Sequence, residues 1–201
     1  IAVPYGQVEL PKRPGTYRNF GKRFIDITLV LFSAIVTLPV VLVLAALVSL
    51  DGSSPFYWQE RVGRRGMNFR MMKLRSMVPN ADRLLEAYLA ANPEAKAEWE
   101  STQKLKCDPR ITSVGRLIRK TSLDELPQLL NVLRGDMSIV GPRPMMPSQR
   151  GLYPGVAYYA MRPGITGPWQ VSERNESEFA KRAIFDANYE RDLSFSVDAS
   201  I

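Results

Sequence analysis

The chain has 201 residues, with 27 Lys and Arg against 20 Asp and Glu and a formal net charge of +7. That length builds one domain with a real core rather than two large ones, and the basic excess points to acidic partners: phosphorylated substrates, anionic lipid or nucleic acid. There is no histidine and one cysteine, Cys107, which excludes the commonest general base, the usual triads, thiolate zinc cages and internal disulfides.

Residues 1–19 carry three prolines and little periodicity and read as an extended arm. The sequence starts at Ile1 and stops at Ile201 inside an apolar alternation, so residues are expected to be missing at both ends. Residues 27–50 contain no charged side chain. As a helix this run measures about 36 Å, enough to cross a bilayer, and it is too long for a secretory signal. Pro39 lies at its middle, where proline removes a backbone hydrogen bond and clashes with the preceding turn. Both flanks are basic: Arg13, Arg18, Lys22 and Arg23 before, Arg61, Arg64, Arg65, Arg70, Lys73 and Arg75 after. Such flanks favour the cytoplasmic side for both ends. The residues admit either an ordinary span or a helix–break–helix hairpin with arms of about 18 Å.

After a turn at 51–55, residues 56–59 and 69–77 read as strands, with the basic glycine turn 61–66 between them, either a plain turn or a phosphate cradle. Helices are expected over 81–91, capped by Asn80, over 94–105, started by Pro93, over 113–119, and over 126–133, ended by Gly135. Beyond Pro142 loops dominate until a helix over 176–191. The fold class is α+β, rich in helix.

Three segments could carry chemistry. In residues 119–128, Ser122-x-x-Glu125 reads as a capping box with Asp124 in the first helical turn. A helix N-terminus also suits phosphate, which Arg119 and Lys120 would attract, and a carboxylate there is placed to accept a phosphoryl group. In residues 135–144, Pro142 and Pro144 hold Arg143, the residue type suited to bidentate phosphate contact. Residues 161–170 form a further anion loop, with Trp169 against a base, sugar or lipid, or simply packed. Cys107 is expected to be inert.

Residues 119–128, Gly135-Asp136-Met137-Ser138, Gly141-Pro142-Arg143-Pro144 and Arg162-Pro163-Gly164-Ile165-Thr166-Gly167, in that order, resemble the bacterial sugar transferases, the monotopic polyprenyl-phosphate phosphoglycosyl transferases. The resemblance runs from Lys22 to about Arg191. It implies an arm (1–19), a re-entrant membrane helix broken at Pro39 (20–51) and a small cytoplasmic catalytic domain (52–201) integrated with that helix, on the cytoplasmic face of the bacterial inner membrane. It implies transfer of a hexose-1-phosphate from a UDP-sugar to undecaprenyl or another polyprenyl phosphate, starting exopolysaccharide or a related glycan. In the family's scheme the residue matching Asp124 attacks the β-phosphorus, releases UMP and forms an aspartyl phosphosugar. Glu125 matches its partner in Mg2+ binding or acid–base work, and Lys73, Arg75, Arg119, Arg143 and Arg162 match phosphate-binding or site-organising positions. Membrane lipid and a second copy of the chain are expected partners. Pro168 and Glu173 depart from the family's leucine and glycine around Trp169, and the insert at 80–106 is similar to the galactose- or glucose-transferring branch. The residues also admit a non-catalytic, membrane-tethered basic module for anionic lipid or nucleic acid, or a membrane scaffold. The basic stretches lack the interleaved aromatics of single-strand binders, so nucleic acid is not an expected partner.

Overall fold

The computed structural model describes residues 15–102, 105–172 and 179–201, without the side chains of residues 101 and 102. The first part of the arm, the helix start at 176 and Glu173 therefore lie outside the described residues. The described chain is rich in helix, with two two-stranded sheets. It divides into two compact units: residues 1–38, 58–72 and 127–201 form one, and residues 39–57 and 73–126 the other.

Helix α1 runs from Lys22 to Val48 with Pro39 inside it. The break expected at Pro39 is not an end of helix; Pro39 is instead where the chain leaves the first unit for the second. With the flanking turns, residues Tyr17–Asp51 are long and apolar enough to cross a membrane. Much of that apolar surface is uncovered by protein: Phe32 is 77% and Ile35 74% exposed. Stripes of this size mark a surface meant for lipid or a partner.

In the first unit, the start of α1 is fixed by its few polar side chains. Asp26 is buried, and its carboxylate accepts from the Ser138 hydroxyl (2.7 Å) and the Ile139 N–H (3.0 Å). Arg23 donates to the carbonyls of Val132 (2.5 Å) and Leu133 (2.9 Å) near the end of α5, Gln128–Arg134. The Val132 carbonyl also accepts from the Gly135 N–H at 3.0 Å, and a guanidinium at a helix C-terminus suits the helix dipole. Helix α5 ends at Gly135, whose φ of 91° takes the left-handed cap. Val30, Met71, Val132 and Met137 form the core beneath. Strand β3 (Ser138–Val140) pairs in parallel with β4 (Gly164–Thr166), Ser138 opposite Gly164 and Val140 opposite Thr166. The backbones crowd at the end of this pair: a Cβ on Gly141 would lie 2.5 Å from the Arg162 carbonyl oxygen. Glycine is required there by close approach. Short helices α6 (Ala157–Ala160), α7 (Pro168–Ser172), α8 (Arg182–Asp192) and α9 (Phe195–Ala199) complete the unit.

In the second unit, Leu44, Ala45 and Val48 of α1 pack on Leu74 and Ile118. Strands β1 (Phe56–Val62) and β2 (Asn68–Leu74), whose residues 58–62 and 68–72 belong to the first unit, pair with each other and are longer and shorter, respectively, than the sequence suggests. Helix α2 (Ala81–Ala91) has the expected bounds, but Asn80 makes no side-chain cap and takes φ 58°. Helix α3 spans Pro93–Thr102. Helix α4 (Ser113–Lys120) is capped by Thr112, whose hydroxyl accepts from the Gly115 N–H at 2.9 Å. The first turn of α4 sits against the β2 exit: a Cβ on Gly115 would fall 1.9 Å from the Ser76 carbonyl oxygen.

Asp26→Ala strands the Ser138 hydroxyl and the Ile139 N–H in a buried site. It is expected to cost about 2–4 kcal/mol and to lower Tm by roughly 5–15 °C, read by thermal unfolding of the detergent-purified protein.

Candidate active site

The chain enters the Asp124–Glu125 dyad through a strained turn. Ser122 takes φ 57° and ψ 18°, uncommon for a residue with a side chain. Its side chain makes no cap, so the capping box is not formed. Instead Leu123–Glu125 form one 3₁₀ turn and α5 starts at Gln128. The reason is electrostatic: the Glu125 carboxylate turns to Lys73, whose Nζ donates to Oε1 at 2.7 Å. The same ammonium lies 3.9 Å from Asp124 Oδ2. Strain of this kind persists where surrounding contacts over-determine it, which is common at functional sites.

Asp124 is half-buried, and burial raises its carboxyl above the ordinary range. Lys73 and Arg119 pull it down, and the Glu125 charge beside it pushes it up. Arg119 is aimed by Ser76, whose hydroxyl accepts from Nε at 2.7 Å. Ser76 is itself buried. Lys73, Arg119, Asp124 and Glu125 thus meet within one unit.

Arg75 has a different role. Its guanidinium bonds both oxygens of Asp51 at 2.7 Å, the carbonyls of Val48 (3.0 Å), Met77 (3.1 Å) and, through Nε, Ser54 (2.7 Å). It staples the end of α1 to the end of β2 and is not brought to the dyad. Arg143 and Arg162 belong to the other unit. Arg162 Nε donates to the Gly135 carbonyl at 2.8 Å, and burial together with Arg64 and Arg23 lowers its affinity for its proton. Arg143 is exposed at the head of the Pro142–Pro144 loop, with its guanidinium 5.8 Å from the Trp169 ring centroid. Trp169 is buried, so it packs as well as faces charge. Cys107 is exposed and unpaired with any other cysteine.

Among the described residues no three His, Cys, Asp or Glu side chains gather as a metal cage. The dyad offers two adjacent carboxylates, which is the usual protein share of a magnesium site when substrate phosphates and water supply the rest. The donor set fits that ion.

The whole described catalytic region falls within one family. A model of the bacterial sugar transferases matches residues 17–201. The chain belongs to the bacterial sugar transferase family. The exopolysaccharide production protein ExoY of Sinorhizobium fredii is 43% identical over 198 residues, 96% of this chain and 88% of that protein. The UDP-galactose-lipid carrier transferase of Erwinia amylovora is 49% identical over 185 residues, 91% of this chain. The undecaprenyl-phosphate galactose phosphotransferase of Salmonella typhimurium is 48% identical over 185 residues. The chain spans only 39% of the length of each of these last two.

Sequence reasoning missed Ser76, although it stands in Lys73-x-Arg75-Ser76 with the two basic residues it did select. It missed Asn131, fully buried, which accepts from the Met72 N–H (3.1 Å) and donates to the Arg70 carbonyl (2.8 Å). It also missed Asp186, buried beneath Tyr153, whose hydroxyl donates to it at 2.8 Å. Burial pushes the Asp186 carboxyl up to about 7, against the downward pull of Tyr153 and Arg182. The available signal was two carboxylates, Asp186 and Glu190, at helical spacing on the face of α8 that carries Tyr189.

A raised native pKa means that the folded protein holds the Asp124 proton more tightly than the unfolded chain. Its contribution to stability is therefore full below the ordinary carboxylate range and is lost as pH rises through the native value. Asp124→Asn, which mimics the protonated form, is expected to raise Tm at pH 7. The gain should shrink toward zero as pH falls through the carboxylate range, in a Tm-against-pH series of both proteins.

Proposed function

We propose that this chain is a membrane-bound phosphoglycosyl transferase that moves a hexose-1-phosphate from a UDP-sugar to undecaprenyl or another polyprenyl phosphate, the first step of an exopolysaccharide or related glycan. The observation that carries the reading is the half-buried Asp124 next to Glu125, with Lys73 bridging both and Arg119 held beside them. A carboxylate raised by burial but kept chargeable by an ammonium is suited to nucleophilic work on a phosphorus.

In this reading an Asp124 oxygen attacks the β-phosphorus of the donor. The bond from that phosphorus to the bridging oxygen breaks, the electron pair leaves with UMP, and an aspartyl phosphosugar remains. A phosphate oxygen of the polyprenyl phosphate then attacks the same phosphorus. The acyl phosphate bond breaks, the Asp124 carboxylate is restored, and polyprenyl diphosphosugar is the product. No proton need move at Asp124 in either step. Lys73 and Arg119 hold charge that offsets the diphosphate, and Arg143 binds phosphate through its rigid fork. Asp124 and Glu125 would hold Mg2+, which neutralises diphosphate charge and eases departure of UMP.

The acceptor is a lipid, and α1 supplies the lipid contact. We infer that α1 enters the inner membrane from the cytoplasmic face as a re-entrant segment bent at Pro39. Basic residues flank both ends of the run, and a proline inside a helix is its weakest hydrogen-bonded point. The arm, this helix (20–51) and residues 52–201 would then work as one membrane-face enzyme, on its own or as a homodimer.

UMP release by detergent-purified protein with polyprenyl phosphate and Mg2+, across a panel of UDP-sugars, tests the chemistry. Release with one donor, lost on chelation and reduced more than about 1,000-fold in Asp124→Asn, is the expected result. No release with any donor sinks the reading in favour of a basic membrane-tethered module.

Topology is tested with single cysteines at Thr16 and Ser53 in a Cys107→Ser background. Both positions should resist an impermeant maleimide applied from outside the inner membrane and react when it is applied from the cytoplasmic side. Labelling of one position from outside would mean a span.

A further inference from the structure

Arg143 and Arg182 share one indole. The Arg182 guanidinium carbon lies 4.0 Å from the Trp169 ring centroid and 4.6 Å from that of Phe179, while Arg143 approaches the same indole at 5.8 Å. Stacking of this kind holds the guanidinium plane while leaving its in-plane N–H edge open to acceptors. Among the described residues neither guanidinium makes an ion pair or a hydrogen bond, and Arg182 Nε is buried without a partner. Burial lowers the affinity of Arg182 for its proton, the Arg143 and Arg61 charges lower it further, and only Asp186 opposes them. Gathering like charges at a half-buried aromatic face is unfavourable until an anion joins them.

We propose that Arg182 and Arg143, clamped on Trp169, form an oxyanion platform that takes a phosphate group through bidentate contacts. The ligand chemistry is a phosphate or diphosphate, carried by either the nucleotide-sugar donor or the lipid phosphate acceptor. Arg143 alone was selected from the sequence; Arg182 comes from a separate helix further along the chain than Trp169, and no motif marks it. The inference deepens the transferase reading and rests on it only for the identity of the substrates.

The test uses the full chain with Trp58→Phe and Trp99→Phe, which leaves Trp169 as the reporting fluorophore. Titration with inorganic pyrophosphate and with UMP should give a saturable change in Trp169 emission. Arg182→Gln should weaken binding about tenfold, as expected for loss of one charged hydrogen-bonding partner. Arg182→Lys, which keeps the charge and the packed stem but loses the fork, should weaken it several-fold and serves if the glutamine variant does not fold. Titrations indistinguishable from the parent in both variants would overturn the proposal. In turnover assays, a raised KM for the UDP-sugar assigns the platform to the donor, and a raised KM for polyprenyl phosphate assigns it to the acceptor. Pyrophosphate binding that depends on Arg182 in a protein releasing no UMP would uphold the platform while sinking the transferase reading.

Discussion

Asp26 is a buried carboxylate in the first turns of an otherwise apolar helix, and both its oxygens are filled by consecutive residues of one strand, Ser138 and Ile139. Burying such a charge is costly unless every lone pair finds a donor. The satisfied arrangement is therefore demanding: it fixes the rotation of α1 and the position of β3 together. Everything that β3 leads into inherits that placement, including the glycine crowding at Gly141 and the Pro142–Pro144 loop that presents Arg143. Arg23, one turn earlier, ties the same helix to the carbonyls that close α5. A helix long and apolar enough to cross a membrane thus carries the polar groups that organise the first unit.

In the other unit the short run Lys73 to Ser76 divides its labour by partner. Lys73 meets the dyad, Arg75 closes the end of α1 through Val48 and Asp51, and Ser76 aims Arg119. Lys73 and Arg75 are two positions apart, a spacing that in a continuous strand would leave both on one face; β2 ends at Leu74, and Arg75 turns instead to the end of α1. Arg75 and Lys73 look equivalent as charges. The guanidinium fork suits a cluster of carbonyls and a carboxylate, whereas the compact ammonium suits two neighbouring acids. The balance at Asp124 follows: burial makes it a reluctant anion and Lys73 keeps ionisation within reach.

Much of the architecture was legible in the sequence because it rests on local chemistry. The uncharged run named the membrane-competent helix, and the bounds of α2, α4 and the Gly135 stop of α5 follow from periodicity and from residues that cannot continue a helix. The basic and acidic residues around 119–125 identified the dyad region. What misled was equally local. Ser122-x-x-Glu125 has the pattern of a capping box, and the pattern holds only if Glu125 has no better partner than a backbone N–H. Asn80 likewise looked like a cap and adopts a left-handed turn instead.

The sequence by itself determined the family and the apolar helix with basic flanks, because these depend on residue type and near-neighbour order. Tertiary structure alone decided which residues act together. Lys73 meets Glu125 across 52 positions of chain, Ser76 meets Arg119 across 43, and Ser138 meets Asp26 across 112. No periodicity encodes such pairings. They arise when burial withdraws water from a charge and leaves it only the partners that packing brings within 3 Å or so (~3 Å).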